Sequence, residues 1–177
     1  MKRFYYYLIS SLPMLEFDRK ASISYKVFFE RCREQLCPDD MRIIERAVLG
    51  PFISIDDEFP MLKAWKRFEI ALRNELARHR AIKLSRDPVK YLRGEYYIDP
   101  FISPLAQWAV SQEGGSILDV ELYIDKVRWD KIEELTRFHY FDLVYLVGYA
   151  LKLQLLERWD RIKNVDGMNL LEDLINK

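Results

Sequence analysis

The stretch from Phe138 to Lys163, FHYFDLVYLVGYALKLQLLERWDRIK, constrains the fold more than any other part of the chain. From Leu143 to Leu151 it is apolar almost all round, a pattern that suits a helix covered on most sides. Beyond Leu151 it becomes one-sided. Leu151, Leu155 and Ile162 continue one face, while Lys152, Glu157, Asp160 and Arg161 occupy the other. Asp142 stands where an N-cap or first-turn acid belongs. Glu157 and Arg161 lie four apart with the acid first, the better orientation for a helical ion pair. Such a helix, from Asp142 to Lys163, is about 33 Å long. Its apolar run stops at Lys152, short of the roughly 20 residues that a membrane span needs. The rest of the chain is expected to wrap around this helix.

The flanking sequence supplies helix punctuation in regular order. Phe4–Leu12 is compact and aromatic, and its three consecutive tyrosines leave strand and buried helix equally open. Ser24 caps a helix over Tyr25–Leu36, with Val27, Phe28, Arg31 and Leu36 as its inner edge. Pro38, Asp39 and Asp40 open the next helix, which runs to Leu49 before Gly50-Pro51. After an acidic connection at Ser54–Glu58, Pro60 starts a long helix to about Leu84. There Leu62, Trp65, Phe68 or Glu69, Leu72 and Leu76 advance by threes and fours, opposite a basic face of Lys63, Lys66, Arg67, Arg73, Arg78, Arg80 and Lys83.

A short turn at Val89–Arg93 ends at Gly94. Asp99-Pro100 starts a helix with Phe101, Ile102, Leu105, Trp108 and Ala109 on its apolar face, and Gly114-Gly115 breaks it. Ser116 caps a further helix to about Arg137, with Leu118, Leu122, Val127, Ile132 and Leu135 spaced for burial and either Tyr123 or Ile124 beside them. A last short helix is expected over Met168–Ile175. No strand pattern recurs and no βαβ alternation appears. The expected fold is all-α, an irregular multi-helix bundle with adjacent helices mostly antiparallel. It is read as one helical domain over residues 1–177, with 1–94 and 95–177 as the alternative division into two lobes.

Composition narrows the function classes. The 177 residues are half apolar and 14% aromatic, ample for a packed interior, and 28 basic residues balance 28 acidic ones. Zero net charge removes the electrostatic footprint of a general nucleic-acid binder. The basic start MKRFYYYLISSLPML has too short an apolar run, interrupted by Ser10, Ser11 and Pro13, for a signal peptide, and reads as structural. Cys32 and Cys37 are the only cysteines. Their spacing lacks a second pair or a neighbouring His, so they read as reduced thiols of a cytoplasmic protein rather than zinc ligands.

Catalytic signatures are sparse. Neither phosphate-binding glycine pattern occurs, and there is no H-E-x-x-H. Glu75 and His79, four apart, read as a surface ion pair on the basic helix rather than half of a di-iron motif. His139 among aromatics reads as a packing histidine before a general base. Glu133 and Glu134 read as solvent-facing. Catalytic, cofactor-binding and metal-ligating residues are therefore expected to be none. The basic face of Pro60–Leu84 is expected to be solvated or to meet an acidic partner. Tyr96, Tyr97 and Phe101, beside a Gly and a Pro, are candidates for partner contact, with core packing as the other use.

Two stretches carry a resemblance. YYYLISSLPML followed by SYKVFFERCREQL resembles the opening of the DUF2764 type of bacterial protein, a family associated with V/A-type ATP synthases. WDKIEELTRFHYFDLVYLVGYALKLQLLERWDRI resembles that family's end and, more distantly, the last lobe of the all-helical C (d) subunit of those rotary ATPases. In that subunit's last long helix an aromatic, a Lys, an acid and an Arg follow in order. Tyr149, Lys152, Glu157 and Arg158 keep the order here, while Gln154 stands near where an acid is expected. This chain could hold about half of the three-lobed C subunit. The resemblance implies a non-catalytic central-stalk component coupling the shaft to the membrane ring of proton- or sodium-carrying subunits. Its partners would be those subunits, without nucleic acid or a membrane span, and its place cytoplasmic and peripheral to the inner membrane. Lys152, Glu157 and Arg158 would join Tyr96, Tyr97 and Phe101 as interface candidates. The competing expectation is a helical adaptor or regulatory scaffold unrelated to rotary ATPases.

Overall fold

The computed structural model describes residues 3–49, 57–94, 100–112 and 116–164. These form seven α-helices and one short 3-10 turn. Among the described residues there is no β-strand, only an isolated antiparallel bridge between Phe4 and Asp142. The fold is all-α. The final helix expected over Met168–Ile175 lies outside the described residues, as do Gly50-Pro51 and Gly114-Gly115. The chain divides into two compact units. One joins Met1–Val48 to Thr136–Lys177, and the other is the continuous segment Leu49–Leu135. The division therefore does not fall at 94/95. The long helix over Leu143–Asn164 packs against the N-terminal segments, and the two share one interior.

In the first unit, α1 spans Tyr6–Ser11, α2 Tyr25–Gln35, α3 Pro38–Leu49 and α7 Leu143–Asn164. The open choice at the N-terminus resolves as helix, with Leu8 and Ile9 buried. Asp142 is the cap of α7, its Oδ1 accepting from the Tyr145 N–H at 3.3 Å. Leu146, Val147, Ala150, Leu151 and Leu153 are at most 1% exposed, as an apolar helix wrapped by neighbours requires. Past that point the inward face departs from the expected one. Leu153, Leu156 and Trp159 are buried, whereas Leu155 and Ile162 are half-buried.

The inner face of α2 is Phe28, Phe29 and Cys32; Val27 is exposed and Arg31 only half-buried. The reason is the position of α7. Phe28 stacks on Tyr149 with ring centroids 5.2 Å apart, and that contact sets the rotation of α2. Burial pushes the Cys32 thiol up to about 12, so it is protonated and behaves as a small core hydrophobe.

In the second unit, α4 spans Pro60–Lys83, the 3-10 turn Pro88–Tyr91, α5 Ile102–Ser111 and α6 Ile117–Thr136. The apolar stripe Leu62, Trp65, Phe68, Leu72 and Leu76 is buried as its spacing predicts. The helix is nevertheless not simply two-faced, because Glu69, Asn74 and Glu75 are buried with it. Much of the expected basic face neutralises acids. Lys66 meets Asp57 at 2.8 Å, Arg73 meets Glu69 at 3.3 Å and Arg78 meets Glu75 at 2.8 Å.

From α6, Arg128 reaches both Glu69 at 2.6 Å and Asp125 at 2.7 Å. Burial lowers the Arg128 pKa, and the two carboxylates more than offset this and raise it. The buried set of α6 is Ile124, Asp125, Trp129 and Ile132; Leu118 is exposed. Trp129 also donates to Glu133 at 2.9 Å. On α5 the inward residues are Ile102 and Ala106, while Trp108 is partly exposed and packs on Tyr123.

Asn74 holds the chain after the 3-10 turn with two bonds. Its side-chain amide donates to the Arg93 carbonyl at 2.9 Å, and its carbonyl accepts from the Arg93 N–H at 3.0 Å. The end of α4 is a Schellman closure. The Ser85 N–H bonds the Ile82 carbonyl, and the Arg86 N–H bonds the Ala81 carbonyl. Ser85 takes φ 54° there, the left-handed conformation that favours glycine.

Two substitutions test this architecture. Phe28→Ala should lower the unfolding free energy by about 3–5 kcal/mol in urea titration, whereas Val27→Ala should change it by less than about 1 kcal/mol. Ser85→Gly should raise stability by up to about 1 kcal/mol, with relief of the left-handed strain partly offset by the freer unfolded chain.

Candidate partner-binding surface

The sequence-derived candidates separate once their surroundings are known. Tyr96 and Tyr97 lie outside the described residues. Phe101, just before α5, is 88% exposed rather than part of an apolar helix face. Lys152, Glu157 and Arg158 sit on α7 in the first unit, all half-buried. The expected helical pair is not the main use of Glu157. Its carboxylate accepts the backbone N–H of Tyr25 at the start of α2, beside Ser24, whose Oγ accepts from Val27 at 3.4 Å. A carboxylate at a helix N-terminus satisfies an otherwise unbonded donor and complements the helix dipole. Arg158 lies 5.9 Å from the centre of the Trp159 ring. Tyr149 is buried and donates to the Pro13 carbonyl at 2.9 Å, and burial raises its pKa. Tyr149 and Glu157 hold α7 against the N-terminal segments.

Glu75 and His79 are not a surface pair. Glu75 is fully buried. His79 Nε2 lies 2.8 Å from Arg78 Nη2, 3.6 Å from Glu75 Oε2 and 3.5 Å from Ser103 Oγ on α5. Arg78 has only donors, so Nε2 accepts from it and the ring proton resides on Nδ1. A Ser–His–acid relay needs the hydroxyl and the carboxylate on opposite ring nitrogens. Here the Ser103 hydroxyl and the Glu75 carboxylate face the same one, so the cluster is a polar clasp between α4 and α5 built around the buried Glu75. Burial, with Arg78 beside it, holds the His79 pKa below its ordinary value. His139, partly exposed, places Nδ1 2.6 Å from Asp142 Oδ2, which ties it to the cap of α7. Among the described residues no group of three or more His, Cys, Asp or Glu is placed to hold a metal ion.

The surface that stands out was not among the candidates. Two aromatic stretches, FYYY at residues 4–7 and FHYF at residues 138–141, meet in the first unit. The Tyr5 N–H bonds the Phe141 carbonyl at 2.7 Å, and Phe4 bridges Asp142. The rings of Phe4 and Tyr6 stack 5.7 Å apart, and Tyr6 lies 4.9 Å from Phe141. Phe4 and Tyr6 are each 53% exposed, and Tyr7, Phe138 and Tyr140 more so. Below them Tyr5 is anchored by its hydroxyl, which donates to Asp40, and Arg3 also bonds Asp40. Exposed rings on a backbone pinned at both strands of contact are the make-up of a protein interface centre. The first stretch is four aromatics in four residues and the second three in four, a signal present in the sequence. Their convergence required the return of α7 to the N-terminus.

A helical protein in which the N-terminal segments and the approach to α7 close one unit and present a shared aromatic surface is the class that fold and site define. Residues 104–177 are similar to the family described as protein of unknown function (DUF2764). That match takes in most of α5 and all of α6 and α7, and covers less than half of the chain. No curated protein and no solved structure matches.

The His79 clasp gives a pH signature. The unfolded chain takes up a proton near the ordinary imidazole pKa of about 6.5, and the folded chain only below it. Stability should be complete above pH 7 and fall as pH drops from about 6.5 toward 5. His79→Gln should flatten that slope in urea titrations at each pH.

Proposed function

We propose that this chain is a non-catalytic, C-subunit-like component of a V/A-type rotary ATP synthase. It would dock on the cytoplasmic side, peripheral to the inner membrane, between the central shaft and the membrane ring. The observation that carries the docking role is the pinned aromatic surface of Phe4, Tyr6 and Phe141, with exposed rings set on a bonded backbone. The assignment to a rotary complex rests on the resemblance to the DUF2764 type. Tyr5–Tyr7 of the first aromatic stretch and all of the second fall within the segments that resemble that type, and the second lies inside the match at residues 104–177. A part that transmits torque needs helices that do not slide over one another. Interdigitated aromatic packing such as Phe28 on Tyr149, and buried ion pairs such as Arg128 with Glu69, resist such sliding.

Tagged chain isolated from cells that hold an intact V/A complex should bring down the nucleotide-binding A and B subunits, identified by mass spectrometry. Tyr6→Ser combined with Phe141→Ser should cut that recovery at least about tenfold, the loss of two interface anchors, while leaving the helical circular dichroism unchanged. Recovery of the wild-type chain free of A and B would end the rotary assignment. Recovery instead with another defined partner, still sensitive to the two substitutions, would transfer the surface to a helical adaptor.

A further inference from the structure

The neutral net charge conceals a local excess. Residues 60–94 carry ten basic side chains and three acidic ones. Glu69 and Glu75 are buried, and Asp87 is turned to capping the 3-10 turn, its Oδ1 accepting from the Val89 N–H at 3.1 Å. Arg80, Lys83, Arg86, Lys90 and Arg93 are all exposed. The Schellman closure at Ser85 folds the 3-10 turn back toward α4, so Arg80, Lys83 and Arg86 mark the end of α4 while Lys90 and Arg93 run back beside it, Arg93 being held at Asn74. Apolar side chains are interleaved with them: Ile82 is 53% exposed, Leu84 61% and Val89 73%. Beside them opens a groove of about 410 Å³. Arg80, Lys83 and Glu121 are its charged lining, with the two cations in excess, and Leu84, Val110, Ile117 and Val120 line its apolar part. Lys83 is fixed there by donating to the Val110 carbonyl at 3.0 Å.

We infer that this end of the second unit is a docking face for the surface of an anionic phospholipid bilayer. Cations at the level of the headgroups meet lipid phosphates and anionic headgroups. Leu84, Val89 and Ile82 reach the acyl boundary, and the groove accepts part of a lipid chain. The mixture of chemistries favours this occupant over nucleic acid. A single-stranded nucleic acid wants aromatic platforms between its cations, and here the interleaved side chains are mainly aliphatic, the composition of an interfacial lipid contact. Attachment of this kind differs from a membrane span, and no helix among the described residues is long and apolar enough for one. The inference does not depend on the rotary assignment, since it concerns another surface and is tested without ATPase subunits.

The full purified chain is sedimented with vesicles of phosphatidylcholine alone and of phosphatidylcholine with 30% phosphatidylglycerol. Binding should require the anionic lipid and weaken steeply as salt is raised, because exposed charges are screened. Arg80→Gln, Arg86→Gln and Lys90→Gln together should lower partitioning by about two orders of magnitude, at about fivefold per cation. Leu84→Ser alone should lower it about tenfold through lost apolar insertion. Thermal unfolding of each variant verifies the fold; should the triple variant be unfolded, the salt series and Leu84→Ser decide.

Inorganic phosphate at matched ionic strength should leave vesicle binding intact, and competition by it would reduce the face to a simple anion site and overturn the proposal. So would equal binding to both vesicle types, no binding to either, or capture by polyuridylate or polyglutamate in place of anionic vesicles.

Discussion

Arg128 is the pivot of the second unit. It extends from α6 to a buried carboxylate on its own helix, Asp125, and to another on α4, Glu69. Two carboxylates in an apolar interior would each cost several kcal/mol if left without a partner. A single guanidinium, with its fork of donors, serves both, and it can do so only with α6 at one rotation and one height against α4. Apolar packing tolerates small slips because it lacks direction. The charge-assisted bonds do not, and they fix which residues of each helix face inward. On α4 Arg78 neutralises Glu75 of the same helix, and its bond to Ser103 brings α5 into that cluster. The polar clasps thus convert a loosely specified helical packing into one register.

The first unit is held by a different device. Its helices exchange end groups with α7. Glu157 serves the start of α2, Tyr149 bonds the chain after α1, and Gln154 donates to the Val48 carbonyl near the end of α3. At the other end of α7, Asp142 caps its own helix, binds His139 and bridges Phe4. Backbone donors and acceptors at helix ends and in connecting chain are costly to bury unpaired. Placing polar side chains of one apolar helix at those positions makes a single element the scaffold for the others. Polar residues on α7 that look like a solvent face in sequence are therefore structural.

Two exposed regions of different chemistry result. The aromatic surface of the first unit rests on backbone bonds between the chain's beginning and the approach to α7. The cationic, aliphatic end of the second unit rests on a helix that has turned its acids inward and left most of its bases outside. Neither is visible from overall composition. Neutrality hides the second because acids elsewhere balance it, and 14% aromatic content hides the first because most of those rings would be expected in a core.

By itself the sequence determined the kind of fold and most helix boundaries. Proline at first positions, Ser24 and Asp142 as caps, and the period of Leu62, Trp65, Phe68, Leu72 and Leu76 are local facts, set by backbone donors and the 3.6-residue repeat. They need no knowledge of what lies opposite. Tertiary structure decided the rest, because it depends on which helix meets which. Glu75 and His79 look identical in sequence whether they face water or α5. Val27 and Phe29 are two apolar residues of the same helix, and only the Tyr149 ring selects between their faces. The aromatic surface exists because residues 4–7 and 138–141, more than a hundred positions apart, are brought together by backbone bonds at the approach to α7, whose packing on α2 returns the chain to its beginning.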